Sequence, residues 1–300
     1  MTAPAPPPTP RPSGLLPALG AYLIWGFLPL YLLLVQSVPP FEFVGWRIIW
    51  TLPLCLLIVA FRRQFPELLA ALKSPRSLMA LTASAVLIGI NWFVYIWAIM
   101  AGEVFAASIG YYLNPLLNVL LGTLVLGEKL SQRQWVAVAI AAVAVALLAA
   151  GAITSLWISL TLALSFALYG LVRKQVAVGS LPGLTIESAI LLLPAIGIAA
   201  WYAMSEAGSA FGNDPVLSGY IVFSGVVTAV PLLLFAIAAR RMDYSTLGFI
   251  QYLAPTIVFL LGLFVFKQPL APAKLASFVL IWMAVGVFVW DLWAKRKSAA

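Results

Sequence analysis

The sequence predicts an all-α membrane protein of ten transmembrane helices, arranged as two inverted-topology five-helix repeats with both termini cytoplasmic. Three observations carry that prediction. Hydrophobic residues make up 64% of the 300 and charged residues only 9%, with a mean hydropathy of +1.07. That is far more apolar side chain than one soluble core could bury, so lipid must cover the remainder. The apolar residues fall into ten runs of spanning length, and a pattern built on Tyr-Leu-x-Pro recurs after 140 residues.

The runs cover about 14–36, 41–61, 77–100, 103–126, 132–150, 154–173, 181–204, 215–239, 243–266 and 273–293. Each is near the ~20 residues that cross ~30 Å of hydrocarbon. Residues 1–13, MTAPAPPPTPRPS, read as a disordered or polyproline tail. They are no cleaved signal, because the next run has spanning length and contains Pro17 and Pro29. The domain division is then a first repeat over 14–150, a second over 151–293 and a basic cytoplasmic tail over 294–300.

Orientation follows from the loops. With a cytoplasmic amino terminus, the inside loops and tails collect fourteen lysines and arginines, Arg173 and Lys174 among them, and the outside loops only Lys267 and Lys274. The net charge of +8 is therefore a topological signal and an attraction to anionic headgroups, and no nucleic-acid site is needed to explain it. The expected partners are the lipid bilayer and a small molecule.

Two counts exclude whole classes of chemistry. The single cysteine, Cys55, lies in an apolar run, so there is no disulfide within the chain and no thiolate cluster. Histidine is absent, which removes the central group of the usual zinc sites, histidine relays and Ser/His triads. No metal or cofactor is expected, and without a Walker motif ATP coupling within this chain is not expected either.

The repeat pairs 103–130 with 243–270 without a gap, matching Tyr112 with Tyr252, Leu113 with Leu253, Pro115 with Pro255 and Gly122 with Gly262. Five spans separate equivalent positions, so the second copy enters from the opposite face. Such inverted repeats hold solutes near the midplane between their halves. Pro115 and Pro255 each follow an acidic residue, Glu103 or Asp243, by twelve positions, about 18 Å at helical rise. Each is a helix-breaking midplane position that deprives the carbonyl four residues earlier, Tyr111 or Gln251, of its partner. Those carbonyls, with Asn114, Asn118 and Gln251, need protein or a wet cavity around them. The alternative is that the prolines kink packed helices and the amides join helix to helix.

Other polar and aromatic residues reach compatible depths: Trp25 in the first span, Asn91, Trp92 and Tyr95 in the third, Tyr169 in the sixth and Thr228 in the eighth. With Tyr112, Asn114, Gln251 and Tyr252 they form the expected cavity, suited to an amphipathic solute. For the aromatics the competing reading is an interfacial belt or lipid-facing packing. The fifth span is rich in small residues and is expected at the back of the fold or in a homodimer.

Two charges lie within spans. Arg47 and Glu187 sit about six residues inside from opposite faces, roughly 9 Å deep, which argues against a direct salt bridge between them. Arg47 reads as an outer anchor whose long side chain snorkels. Glu187 has less reach, and its readings are a helix-to-helix hydrogen bond, exposure at the inner interface, or proton coupling.

IWGF at 24–27, SAVLIGINWF at 84–93, ASIGYYLNPLLNVLLG at 107–122, SFALYGLVRK at 165–174, TAVPLL at 228–233 and STLGFIQYLAP at 245–255 resemble the RarD branch of the EamA family, within the drug/metabolite transporter superfamily. The resemblance runs in order over nearly the whole chain after the tail. It implies two inverted five-helix halves with the first, third, fourth, sixth, eighth and ninth helices lining a cavity, and it places a glutamate at position 187. RarD itself is named for chloramphenicol sensitivity or resistance. One departure concerns a loop carboxylate: many members carry Gly-Glu after both the fourth and the ninth helix, and this chain has Gly127-Glu128 but Lys267-Gln268.

The reading that results is a secondary transporter of the bacterial inner membrane, moving small amphipathic metabolites, amino-acid-like compounds or drugs outward by alternating access. A non-transporting membrane scaffold and an intramembrane enzyme are the other classes, the latter lacking a convergent acid, base or nucleophile. Substrate identity, direction, coupling ion and oligomeric state stay open at the level of sequence.

Overall fold

A computed structural model describes residues 13–267 and 272–299. Residues 1–12 of the expected tail lie outside the described residues, as do Gln268 and the side chains of Lys274, Arg296 and Lys297. Because hydrocarbon offers no partner to backbone N–H and C=O groups, spanning segments this apolar close their hydrogen bonds internally as helices. In chain order these are α1 (Leu15–Leu32), α2 (Pro40–Phe61), α3 (Phe65–Lys73), α4 (Pro75–Met100), α5 (Val104–Leu124), α6 (Gln132–Ala149), α7 (Leu156–Gln175), α8 (Ser180–Ala203), α9 (Pro215–Arg241), α10 (Tyr244–Gln251), α11 (Leu253–Phe264) and α12 (Pro272–Ala299). All but α3 contribute to ten segments long and apolar enough to cross a membrane, with α10 and α11 forming one of them. Their ends fall within two residues of the runs read from hydropathy.

Local chemistry sets the helix starts. Proline opens α2, α4 and α9, where its missing N–H costs nothing. Ser74 and Asp214 cap α4 and α9, and Ser131 with Gln134 forms a capping box on α6. The short α3, which hydropathy does not mark, lies in the loop between α2 and α4 and buries Leu68 and Ala71.

Helices α2, α4, α5 and α6 begin at residues 40, 75, 104 and 132, and α8, α9, α10 and α12 at 180, 215, 244 and 272, a constant separation of 140. Packing follows the same register. Helix α2 packs on α8, α5 on α10 and α6 on α12; α1 against α9 and α11 is matched by α7 against α4 and α5. Gly14 lies against Ala238 and Arg241, and Ser131 Oγ meets Asp291 Oδ2 at 2.8 Å, which puts the two ends of the described chain on one face of the bundle.

The two prolines expected to break helices at the midplane differ. Pro115 sits inside an uninterrupted α5, whereas the equivalent segment breaks at Tyr252. Pro255 thereby falls in the first turn of α11, where it displaces no helical hydrogen bond.

Helices α2 and α9 approach closely at Gly225, where an added Cβ would lie 2.5 Å from the Trp50 carbonyl oxygen. Backbone cannot swing aside as a side chain can. Gly225→Ala is expected to cost about 1–3 kcal/mol by overpacking. Gly197→Ala, with open space around it, is expected to be neutral or to gain about 0.5–1 kcal/mol. Thermal unfolding of the two variants in detergent checks the difference.

Candidate functional site

A small void of about 10 Å³ lies among α2, α4, α7, α8 and α9, walled by Trp92, Tyr169, Glu187 and seven other residues. It has room for about one water molecule. Three pairs in its wall, Ile48 with Ser188, Thr51 with Leu191 and Trp92 with Leu232, stand 140 residues apart. The void is thus built from matching turns of α2 and α8 and of α4 and α9.

Glu187 closes one side. It is 1% exposed, which excludes the inner-interface reading. Its Oε1 accepts from Ser84 Oγ on α4 and lies 3.4 Å from Arg173 Nη1, while Tyr169 OH donates to Oε2 at 3.5 Å. Arg173, counted in sequence as a loop charge, sits in the last turn of α7 with no exposure. It is buried because it has a charge partner and an acceptor: Nη2 donates to the Ser180 carbonyl at 2.8 Å. The Nη1 contact is coulombic, off hydrogen-bond geometry, and Gly183 makes room for the guanidinium by having no side chain.

Arg47 occupies the turn of α2 equivalent to Glu187 on α8, 140 residues earlier, and has no such partner among the described residues. As depth suggests, the two are not paired. Arg47 Nε donates to Thr228 Oγ1 at 3.2 Å, and its Cζ stands 4.4 Å from the Trp92 ring centroid. The ionisable groups facing it are Tyr31, Tyr95 and Tyr111. The structure therefore gathers Trp92, Tyr95 and Thr228 around Arg47, and Tyr169 around Glu187.

The remaining expected residues have other neighbours. Trp25 packs with Tyr22, Phe166 and Phe235 at 5.6, 5.7 and 5.9 Å, beside Tyr169. Asn91 and Asn114 donate to the Leu162 and Ala163 carbonyls, each at 2.8 Å, tying α4 and α5 to α7. Gln251 Oε1 accepts from Asn118 Nδ2 at 2.9 Å. These amides join helix to helix. Tyr112 and Tyr252, 8% and 2% exposed, belong to a separate apolar cluster with α6 and α12, where Tyr112 meets Phe278 edge-on at 5.7 Å. They do not reach the void.

Comparison with known proteins agrees with this architecture. The EamA-like transporter family matches residues 12–150. The protein RarD of Streptomyces exfoliatus is 40% identical over 96% of this chain and 92% of its own length. That of Escherichia coli K12 is 40% identical over 96% and 97%. The chain belongs to the EamA family, as a RarD-type member. It is accordingly a membrane transporter of the drug/metabolite superfamily. A relative from Pseudomonas aeruginosa, described as chloramphenicol-sensitive protein RarD, is 30% identical over 93% of this chain and 94% of its own. A crystal structure only 21% identical superposes with a TM-score of 0.71 over 92% of this chain and 97% of that one, a likeness of fold alone.

The EamA loop carboxylate now has a physical role. Glu128 accepts from Tyr244 N at 2.6 Å, Ser245 N at 2.9 Å and Ser245 Oγ at 2.6 Å, holding the first turn of α10. A carboxylate there completes the unsatisfied amides and meets the positive end of the helix dipole. Two other carboxylates of the first half also accept backbone amides of the second, and sequence reasoning passed over both. Glu67 accepts from Gly179 N at 2.7 Å before α8, and Glu42 from Ala210 N at 2.9 Å and Ser209 Oγ at 2.5 Å on the far face. The detectable signal was acidic residues beside helix ends in so acid-poor a chain.

Glu128→Ala should leave those amides of α10 bare and cost about 1.5–3 kcal/mol, the worth of hydrogen bonds to a charged group. Glu128→Asp should fall between the two. Unfolding in detergent, followed by circular dichroism, measures both.

Proposed function

We propose that this EamA chain is a secondary transporter of the bacterial inner membrane that exports small amphipathic metabolites, amino-acid-like compounds or drugs. Two five-helix halves of inverted topology rock about the void between Trp92 and Glu187 in an alternating-access cycle. The observation that carries the reading is the wall of that void, six of whose ten residues form three pairs 140 apart. The common register of helix starts and the matched packing support it. Solute sites at the interface of inverted repeats are how such folds expose one site to each side in turn.

A void of about 10 Å³ holds no metabolite, so this conformation is closed around it. Each face is held by contacts between the halves: Glu67 and Glu128 on the terminal face, Glu42 and the Tyr31 hydroxyl on the Tyr220 carbonyl at 2.8 Å on the other. Release of one set and then the other would open the void alternately. The positive-inside distribution assigns the terminal face to the cytoplasm.

Glu187 is the coupling group in this scheme. It is faced by Arg173 and Tyr169 from α7, Ser84 from α4 and Cys55 from α2. Loss of its charge would dissolve the junction of α4, α7 and α8.

The test is flux in liposomes loaded with a mixed metabolite pool that includes chloramphenicol. Saturable, protein-dependent loss of a solute is expected, and Glu187→Gln is expected to slow it and remove its pH dependence. Flux no greater than that of empty liposomes would end the transporter reading. A Glu187→Gln variant with unchanged rate and pH response would end the coupling role alone.

A further inference from the structure

We propose that Arg47 is the anchor for the anionic head of the transported solute, a carboxylate whose apolar body lies among Trp92, Tyr95, Tyr111 and Tyr31. The inference rests on the transporter reading for the solute's being cargo, but the site itself is argued from geometry.

The first argument is direction. Arg47 is seven residues into α2, about 10 Å from the far face, and its partner Thr228 is thirteen residues into α9, about 20 Å from the same face. A snorkelling arginine sends its guanidinium outward to the headgroups. This one is turned inward, held by Thr228 at 3.2 Å and laid over Trp92 at 4.4 Å. The outer-anchor reading does not fit that pose.

The second is unused capacity. Only Nε has a hydrogen-bond acceptor, the two Nη groups have none among the described residues, and neither is sealed from contact. No carboxylate of the described residues lies within ion-pair distance of Arg47. A guanidinium within a membrane protein without a counter-charge is costly and marks a functional site. Its planar fork of donors matches a carboxylate edge-on, with two parallel hydrogen bonds.

The third is the contrast with position 187. The two halves place opposite charges on equivalent turns of α2 and α8. Glu187 is neutralised from within by Arg173, at 3.4 Å. Arg47 has no such partner among the described residues, so its positive charge is left for a solute that supplies the negative one.

The fourth is the surround. Tyr95 and Tyr111 meet edge-on with ring centroids 5.9 Å apart, and Tyr111 is 42% exposed, leaving an aromatic surface open beside the guanidinium. Rings on several sides and one cation fit a small amphipathic monoanion better than a cation or a sugar.

The test uses the full chain in a neutral maltoside detergent, free of phospholipid, titrated with three isosteric probes: 3-phenylpropionate, its amide and 3-phenylpropylamine. Tryptophan fluorescence and thermal shift report binding. The acid is expected to bind saturably and the amide and amine about ten-fold or more weakly, the loss of a charged hydrogen-bonded contact. Arg47→Gln should erase the preference for the acid and Arg47→Lys should keep part of it. Equal binding of acid and amide by the wild-type chain overturns the proposal without recourse to any variant, as does failure of the acid to bind. An Arg47→Gln chain that keeps the preference overturns it too. In liposomes, charge-selective binding without flux would sink the transporter reading and leave the anion site standing. Flux of amide or amine equal to that of the acid would sink the anion site and leave transport.

Discussion

Hydrocarbon cannot accept or donate a hydrogen bond, and the rest of this structure follows from that constraint. It forces the chain into helices, and it also decides what happens where helices end, break or carry polar side chains. Asn91 and Asn114 spend their amide protons on carbonyls of α7. The first turns of α8 and α10 are completed by Glu67 and Glu128, from the other half of the chain. Polar groups that would be costly alone thereby become joints between helices. A joint made at a helix end differs from one in the core, since water can replace it, and the contacts of Glu67 and Glu128 between the halves are of this kind.

The same constraint sorts the cations. In sequence, Arg173, Lys174 and Arg240 are members of a cytoplasmic excess that sets orientation. In the fold each also has a structural acceptor. Lys174 Nζ donates to the Ala239 and Met242 carbonyls at 3.0 and 2.6 Å, closing the carboxyl end of α9, and Arg240 binds the Val176 and Val178 carbonyls ahead of α8. Cations at carboxyl ends of helices meet the negative end of the dipole. Arg173 goes further and enters the bundle to meet Glu187. Such a buried pair adds little net stability, because desolvation offsets the attraction, but losing one partner leaves the other stranded. Its value lies in fixing where α7 and α8 sit against α4.

Two halves that follow one path need not share one chemistry. Helix starts keep the register of 140 residues, yet matched positions have diverged: Trp92 against Leu232 and Thr51 against Leu191 in the wall of the void, and Arg47, on the turn beside it, against Glu187. Backbone packing keeps the common register, and side-chain divergence gives the void chemically different sides.

The ten spans, the helical class and the EamA resemblance were all legible in the sequence, because hydropathy and motif are local and survive without knowledge of any neighbour. The repeat was visible at 103–130 and 243–270 alone, where Tyr112, Pro115 and Gly122 recur; elsewhere divergence hid a register that helix starts reveal. An expected depth also follows from residue count and helical rise. Depth correctly kept Arg47 and Glu187 apart, but it also grouped Tyr112 and Tyr252 with Trp92, and the fold sets them in another cluster. Depth is one coordinate of three. Which way a side chain points around its helix, and which helix it meets there, depends on how the helices pack, and that alone turned Arg173 inward to Glu187 and left Arg47 without a counter-charge among the described residues.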